Sequence, residues 1–175
     1  MSTAAARHEA TSKDPVLVAA TLGTGLMAGL YLAFDVGVMP ALARREDEGF
    51  VSAMRQANDA LDDNAVFGVL FLGVFVATGV AARRLARADR SDAARRARAA
   101  AVLYGLSVVV TICANLPLNR RLRTAPGTSA AALAAVRKAY ERPWRRANAV
   151  RTAACLGALA LLGDTARRGA TSRTR

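Results

Sequence analysis

The chain is poor in the residues that do most enzymatic chemistry. Its 175 residues include one histidine, two cysteines and one tryptophan, and aromatic residues make up only 5%. The histidine is His8, in the polar amino-terminal tail. Histidine ligation of haem, copper or zinc inside an apolar segment is therefore excluded. No serine–histidine or cysteine–histidine pair can be assembled either. Cys113 and Cys155 lie in separate apolar runs, with no CxxC and no metal spacing, and read as buried free thiols. Acidic residues are scarce, 13 against 25 Lys+Arg, for a net charge of +12. Such basicity can signal nucleic acid. Here the arginines cluster at the ends of apolar runs with few aromatics among them, so membrane-flanking charge explains them and nucleic acid is not an expected partner. The letters "GTGLMA" at 23–28 fit a dinucleotide fingerprint, but they sit inside a continuous apolar run and not between a strand and a helix. No cofactor and no metal are expected.

What the chain has is long uncharged stretches. Residues 16–34 read "VLVAATLGTGLMAGLYLAF", and 65–82 read "AVFGVLFLGVFVATGVAA". A third run spans 99–119, and a fourth spans 147–163, interrupted by Arg151. Each is close to the ~20 residues that cross a hydrocarbon core. The first exceeds the ~7–15 apolar residues of a signal peptide and reads as an uncleaved helix. The expected fold is all-α: a four-helix transmembrane bundle with spans of about 16–38, 64–82, 99–117 and 147–163. Residues 1–14 and 165–175 are expected to be polar tails around a domain at 15–164. Gly25 and Gly29 form a small-xxx-small pair that would let the first helix approach a neighbour closely.

Charge sets the orientation. The linker between the second and third spans holds seven arginines, at 83, 84, 87, 90, 95, 96 and 98. Basic residues near span ends favour the cytoplasm, so both termini are expected there, in a multi-pass protein of the cell membrane. The last linker is also basic, from Arg120 to Arg146, and narrows the margin. A partner is at hand on the same side, where the first linker carries Glu46, Asp47, Glu48, Asp59, Asp62 and Asp63. Both non-cytoplasmic linkers have helical patterning. Phe50, Met54, Ala57 and Leu61 recur on one face; Leu133, Val136 and Tyr140 recur on another, with Thr128 or Ser129 as cap. Short amphipathic helices are expected there, on the bundle mouth or on the lipid surface.

With this topology, the polar residues in or beside the spans converge at the non-cytoplasmic end. Tyr31 and Asp35 are four residues apart on one helix face, and Asn115 and Asn119 on another. Asn148, Arg151, Thr152 and Cys155 share a third. An Asp or Arg at mid-depth costs ~2.5–3.5 kcal/mol in lipid, so these side chains should face inward and pair. The expected centre is Asp35 paired with Arg151, with Asn115 and Asn148 hydrogen-bonded to them. Tyr31, Asn64, Asn119 and Trp144 would line a substrate pocket. Pro117, between the two asparagines of "NLPLN", should free a backbone carbonyl near Cys113 and kink or end the helix. Asn115 then lies inside the span, and Asn119 a turn further out, where water serves it.

Three segments carry a family resemblance: "YLAFDVGVMPAL", "NLPLNRRL", and a W-x3-N-x2-R-T pattern at Trp144–Thr152. Over roughly 16–163 the chain resembles the anthrone oxygenase-like integral membrane family, whose bacterial members are mostly a domain of unknown function. The resemblance implies a four-helix membrane protein. For some fungal members it implies oxidation of an anthrone to an anthraquinone by molecular oxygen, with no recognised metal or flavin motif. Members often place a histidine or tryptophan near the asparagine–arginine segment; here Trp144 is the residue in that place. A cofactor-free oxygenase needs a base and a set of oxyanion donors. Asp35 is the candidate base, and Arg151, Asn115 and Asn148 are the candidate donors. Two readings stay open: an oxygenase for a lipophilic phenolic substrate, or a non-enzymatic membrane protein that binds a lipid or small ligand or supports a partner complex, the polar cluster acting as its internal lock.

Overall fold

A computed structural model describes residues 14–62, 64–126 and 129–171. Asp63 and Thr128 lie outside the described residues. Five helices follow in order: α1 Pro15–Ala43, α2 Asp47–Asp62, α3 Ala65–Arg87, α4 Ser91–Thr124 and α5 Ala130–Thr171. Four of them, all but α2, are long and apolar enough to cross a membrane. They pack in a ring, α1 against α3 and α5, and α4 against the same two. Lipid is as apolar as leucine, so this ring is held by close packing and by buried polar contacts. At one position the packing depends on glycine. A Cβ at Gly23 would come within 2.4 Å of Val74, so α1 and α3 touch there because Gly23 has no side chain. The pair expected to serve this purpose does not: a Cβ at Gly25 would make ordinary contact with Leu159, and one at Gly29 would meet open space.

The helix starts follow local chemistry. Asp14 accepts from the Val16 N–H at 2.9 Å, with Pro15 in the first turn, where a missing N–H costs nothing. Asn64 caps α3 by accepting from the Phe67 N–H at 3.1 Å, and Ser129 caps α5 through the Ala132 N–H at 3.3 Å. The turn between α3 and α4 is closed by Asp89 at φ 57°, a left-handed conformation that aspartate tolerates.

Two prolines shape the bundle mouth. Neither ends its helix; α4 runs on past Pro117 to Thr124. Instead each proline follows a single wide turn, Phe34–Val38 before Pro40 and Thr111–Asn115 before Pro117. In each the N–H after the turn reaches back five residues, Met39 to the Phe34 carbonyl and Leu116 to the Thr111 carbonyl. The extra residue relieves the clash a proline ring makes with the preceding turn.

Above the ring, a second apolar cluster gathers Met39, Phe50, Met54, Leu122, Leu133 and Trp144. The amphipathic face of α2 packs into it, so α2 caps the bundle mouth and does not lie on lipid. The helix expected in the last linker also forms, and runs through Pro143 without a break into the fourth span. Acidic and basic linkers meet as their charges suggest. Arg137 pairs with Asp47 at 3.1 Å and with Glu141 at 2.9 Å, and Arg123 pairs with Asp59 at 2.9 Å. Arg137 also donates to the Ala43 and Arg45 carbonyls at the end of α1. Cys155 is buried as expected, but Cys113 is exposed on the outer face of α4.

Ser91 and Ser129 flank α4, whose 34 residues extend about 50 Å at 1.5 Å per residue. Single cysteines at these two positions, in a Cys113→Ala/Cys155→Ala background, should react with an impermeant maleimide from opposite sides of the membrane. The Ser91 site should react only after permeabilisation. Labelling from one side alone would remove the four-span topology.

Candidate functional site

The polar residues form two connected layers near the mouth. In the first, Asn148 is fully buried on α5. Its Nδ2 donates to Asp35 Oδ1 at 2.7 Å and to the Tyr31 carbonyl at 2.9 Å. Its Oδ1 accepts from Arg151 Nη2 at 2.6 Å. Thr152 Oγ1 donates to the second Asp35 oxygen at 2.6 Å, and Arg151 Nη1 donates to Thr111 Oγ1 at 3.3 Å. Asp35 and Arg151 therefore do not form the direct pair that the sequence suggested; the Asn148 amide stands between carboxylate and guanidinium. An amide can do this because it offers a donor to one and an acceptor to the other. The guanidinium also lies 4.2 Å over the Tyr31 ring and 5.7 Å from the Trp144 ring centre. Stacking of this kind stabilises a desolvated cation.

The second layer surrounds Asn119, which is 5% exposed. Its Oδ1 accepts from Tyr140 Oη at 3.1 Å and from Trp144 Nε1 at 3.0 Å, while Nδ2 donates to Asp62 Oδ2 at 2.9 Å. Asn58 Nδ2 donates to Tyr140 Oη at 3.2 Å. Asn119 was expected to be served by water. It is instead enclosed by α2 and α5, because α2 folds down over the mouth.

Between the layers lies a cavity of about 250 Å³. Its walls are mainly apolar, from Leu30, Phe34, Phe67, Phe71 and Leu116. Tyr31, Thr111, Asn115, Asn119, Trp144 and Arg151 supply its polar edge, with Asn58 and Asp62 on the α2 side. Leu72 and Ile112 also line it and are 52% and 54% exposed on the outside of the bundle, so the cavity reaches the surface sideways, between α3 and α4. Asn115 is 1% exposed, yet both its amide atoms lack a protein partner, and so does Arg151 Nε. A buried amide with neither donor nor acceptor used is costly, and each such group in a folded protein calls for an explanation.

The expected site residues thus divide. Tyr31, Asn115, Asn119, Trp144 and Arg151 meet at the cavity. Asp35 and Asn148 stand behind it and hold Arg151 through hydrogen bonds. Asn64 is exposed and caps α3 outside the cavity. Asn58, Asp62 and Thr111 line the cavity without having been singled out for it. Asn58 and Asp62 continue the Phe50–Met54 face at four-residue spacing, and that spacing was a readable signal.

Residues 60–161 match the sequence profile of the family described as Anthrone oxygenase. The chain belongs to that family. The match takes in α3, α4 and most of α5, with Asp62, Asn115, Asn119 and Arg151 among its residues. No curated protein and no solved structure matches the chain. The match covers the α3, α4 and α5 sides of the cavity but leaves α1, with Tyr31 and Asp35, and most of α2, with Asn58, outside the matched segment.

The two asparagines of "NLPLN" should behave oppositely in thermal unfolding. Asn119→Leu strands the buried Trp144 indole N–H and takes from the Tyr140 hydroxyl its acceptor, leaving it only the Asn58 amide; at ~1–3 kcal/mol per stranded buried group, a loss of about 3 kcal/mol is expected. Asn115→Leu removes an amide with no partner and should leave stability unchanged or raised. The reverse order in detergent melting curves would contradict the hydrogen bonding described. Asp35→Ala and Arg151→Ala should be coupled by about 0.5–3 kcal/mol in a double-mutant cycle. Repeating the cycle in an Asn148→Ala background should abolish the coupling. Coupling that survives there would mean the amide is not the link.

Proposed function

We propose that the cavity binds a flat, lipophilic, phenolic ketone of the anthrone type, which enters from the bilayer between α3 and α4, and that the protein oxidises it with molecular oxygen without a cofactor. The observation that carries this reading is the unpartnered Asn115 amide, which lines a mainly apolar cavity together with Arg151. Family membership supports it. The volume is just under the ~300–1,000 Å³ usual for small-molecule sites and suits one compact aromatic molecule.

The chemistry follows from the lining. Asp62 is the carboxylate among the described lining residues, oriented by Asn119, with the Arg123 Nη2 3.9 Å away. It takes a proton from the ring methylene of the bound ketone. The electron pair left behind delocalises onto the ketone oxygen, and Asn115 Nδ2 and Arg151 Nε stabilise that oxyanion. Donors already aimed at a developing charge, set among apolar walls, are worth more than the same donors in bulk solvent. The electron-rich anion passes one electron to oxygen. Radical and superoxide combine at the former methylene carbon, and protonation gives a hydroperoxide. Loss of the remaining C–H proton with cleavage of the O–O bond yields the quinone carbonyl and water. One substrate and one oxygen molecule give one quinone and one water. Asp35 and Asn148 position Arg151 and do not touch substrate, so the base moves from Asp35, the candidate in the sequence, to Asp62.

Proteoliposomes given an anthrone should consume one oxygen molecule per quinone formed. Asn115→Leu and Asp62→Asn should each lower kcat by about 10²–10³-fold, the usual loss for a missing transition-state contact. Cys113→Ala should leave it unchanged. Anthrone binding with no oxygen uptake would replace the oxygenase by a carrier of the same molecule.

A further inference from the structure

A second concavity lies on the outer face of the bundle, toward the end opposite the mouth. It is a groove of about 770 Å³ between α3 and α4. Phe75, Val76, Gly79, Val102 and Gly105 form its apolar length. Val76 and Val102 are 61% and 72% exposed, as lipid-facing side chains are. Gly79 opens the groove and does not serve helix contact, since a Cβ there would meet nothing within 4 Å.

Arg83 and Arg98 line the same groove, one from each helix. Both are exposed. Three of the five other arginines of this basic stretch are neutralised by carboxylates: Arg84 by Asp14 at 3.2 Å, Arg95 by Asp92 at 2.6 Å and Arg96 by Asp164 at 3.6 Å. Neither Arg83 nor Arg98 has a carboxylate partner among the described residues, and Arg98 spends only its Nε, on the Ala94 carbonyl. Phe75, Gly79 and Arg83 recur at four-residue spacing on one face of α3. At 1.5 Å per residue the groove extends about 12 Å from Arg83 to Phe75. That is most of one leaflet, whose depth is about half of a ~30 Å hydrocarbon core.

We propose that this groove is a binding site for one anionic phospholipid, with its phosphate on Arg83 and Arg98 and an acyl chain along Gly79 and Gly105. Two unpaired guanidinium groups at the mouth of an apolar slot match a ligand with an anionic head on a hydrocarbon tail. Basic pockets between spanning helices bind such headgroups. A free phosphate would use the arginines and leave the slot unfilled. A zwitterionic lipid would use the slot but present no net charge to the arginines.

Native mass spectrometry and melting curves of the delipidated protein would test this. Three probes are compared: phosphatidylglycerol, phosphatidylcholine with the same chains, and inorganic phosphate. One phosphatidylglycerol per chain should be retained, and it should raise Tm above the value with phosphatidylcholine. Arg83→Gln/Arg98→Gln should erase that difference, Arg84→Gln should keep it, and Gly79→Leu, which fills the slot and leaves both charges, should erase it too. Equal shifts with the two lipids, an equal shift with inorganic phosphate, or an undiminished effect in Gly79→Leu would each overturn the proposal. So would a dimer of this chain that Gly79→Leu dissociates, because a second copy would then occupy the groove.

Discussion

A carboxylate and a guanidinium in the apolar part of a membrane protein have to be satisfied by the protein itself, and here one amide satisfies both. Asn148 donates to Asp35 and to the Tyr31 carbonyl and accepts from Arg151. Charges separated by an amide attract more weakly than in contact, but each ion gains a directed, charge-assisted hydrogen bond. The consequence lies at Arg151. With Nη2 on Asn148 and Nη1 on Thr111, the guanidinium is fixed against the Tyr31 ring, and its Nε is left without a protein partner. α1, α4 and α5 are tied together by the same contacts, so fold and site share one network.

The two wide turns make that network possible. Both occur five residues long, each ending two residues before a proline, on helices that face one another across the ring. Each adds one residue to a turn, and one residue in an α-helix is a rotation of about 100°. The wide turn begins just after Tyr31 and takes in Asp35, and the Asn148 amide reaches both the Tyr31 carbonyl and the Asp35 carboxylate. Tyr31 lines the cavity, whereas Asp35 turns toward Thr152 and Asn148. The same device in α4 carries Thr111 at its start and Asn115 at its end, and both line the cavity. Wide turns of this kind recur at functional sites because they re-aim side chains without interrupting the helix.

This explains what was legible in the sequence and what was not. Four spans follow from uncharged runs, and the convergence of polar residues at one end follows from chain direction. Tyr31, Asn115, Asn119, Trp144 and Arg151 meet at the cavity for that reason. The direct Asp35–Arg151 pair was inferred from polar faces converging at one end; helical spacing does not say that the Asn148 amide stands between the two. The roles of the two asparagines were inferred from depth alone. Depth places Asn115 inside the span, but it does not show that Asn119 is enclosed by protein rather than served by water, because α2 covers Asn119 and supplies Asp62, and a long-range contact of that sort leaves no trace in local spacing. Gly23 was passed over for Gly25 and Gly29 because a small-xxx-small pattern marks close approach without saying which face of the helix meets a neighbour.

The asymmetry between the two amides of "NLPLN" follows from these constraints. Asn119 is held by a tyrosine, a tryptophan and an aspartate, and its role is to join α2, α4 and α5 over the mouth. Asn115 is one turn deeper, at the end of the wide turn, with neither amide atom engaged. A side chain kept only for packing would be leucine at that depth, since leucine fills the volume without the desolvation cost. Pro117 and the wide turn hold the amide at the wall of the cavity, where, on the proposed function, the bound ketone completes its hydrogen bonds. Stability is given up at Asn115 and recovered at Asn119, and the cavity between them is what the exchange leaves open.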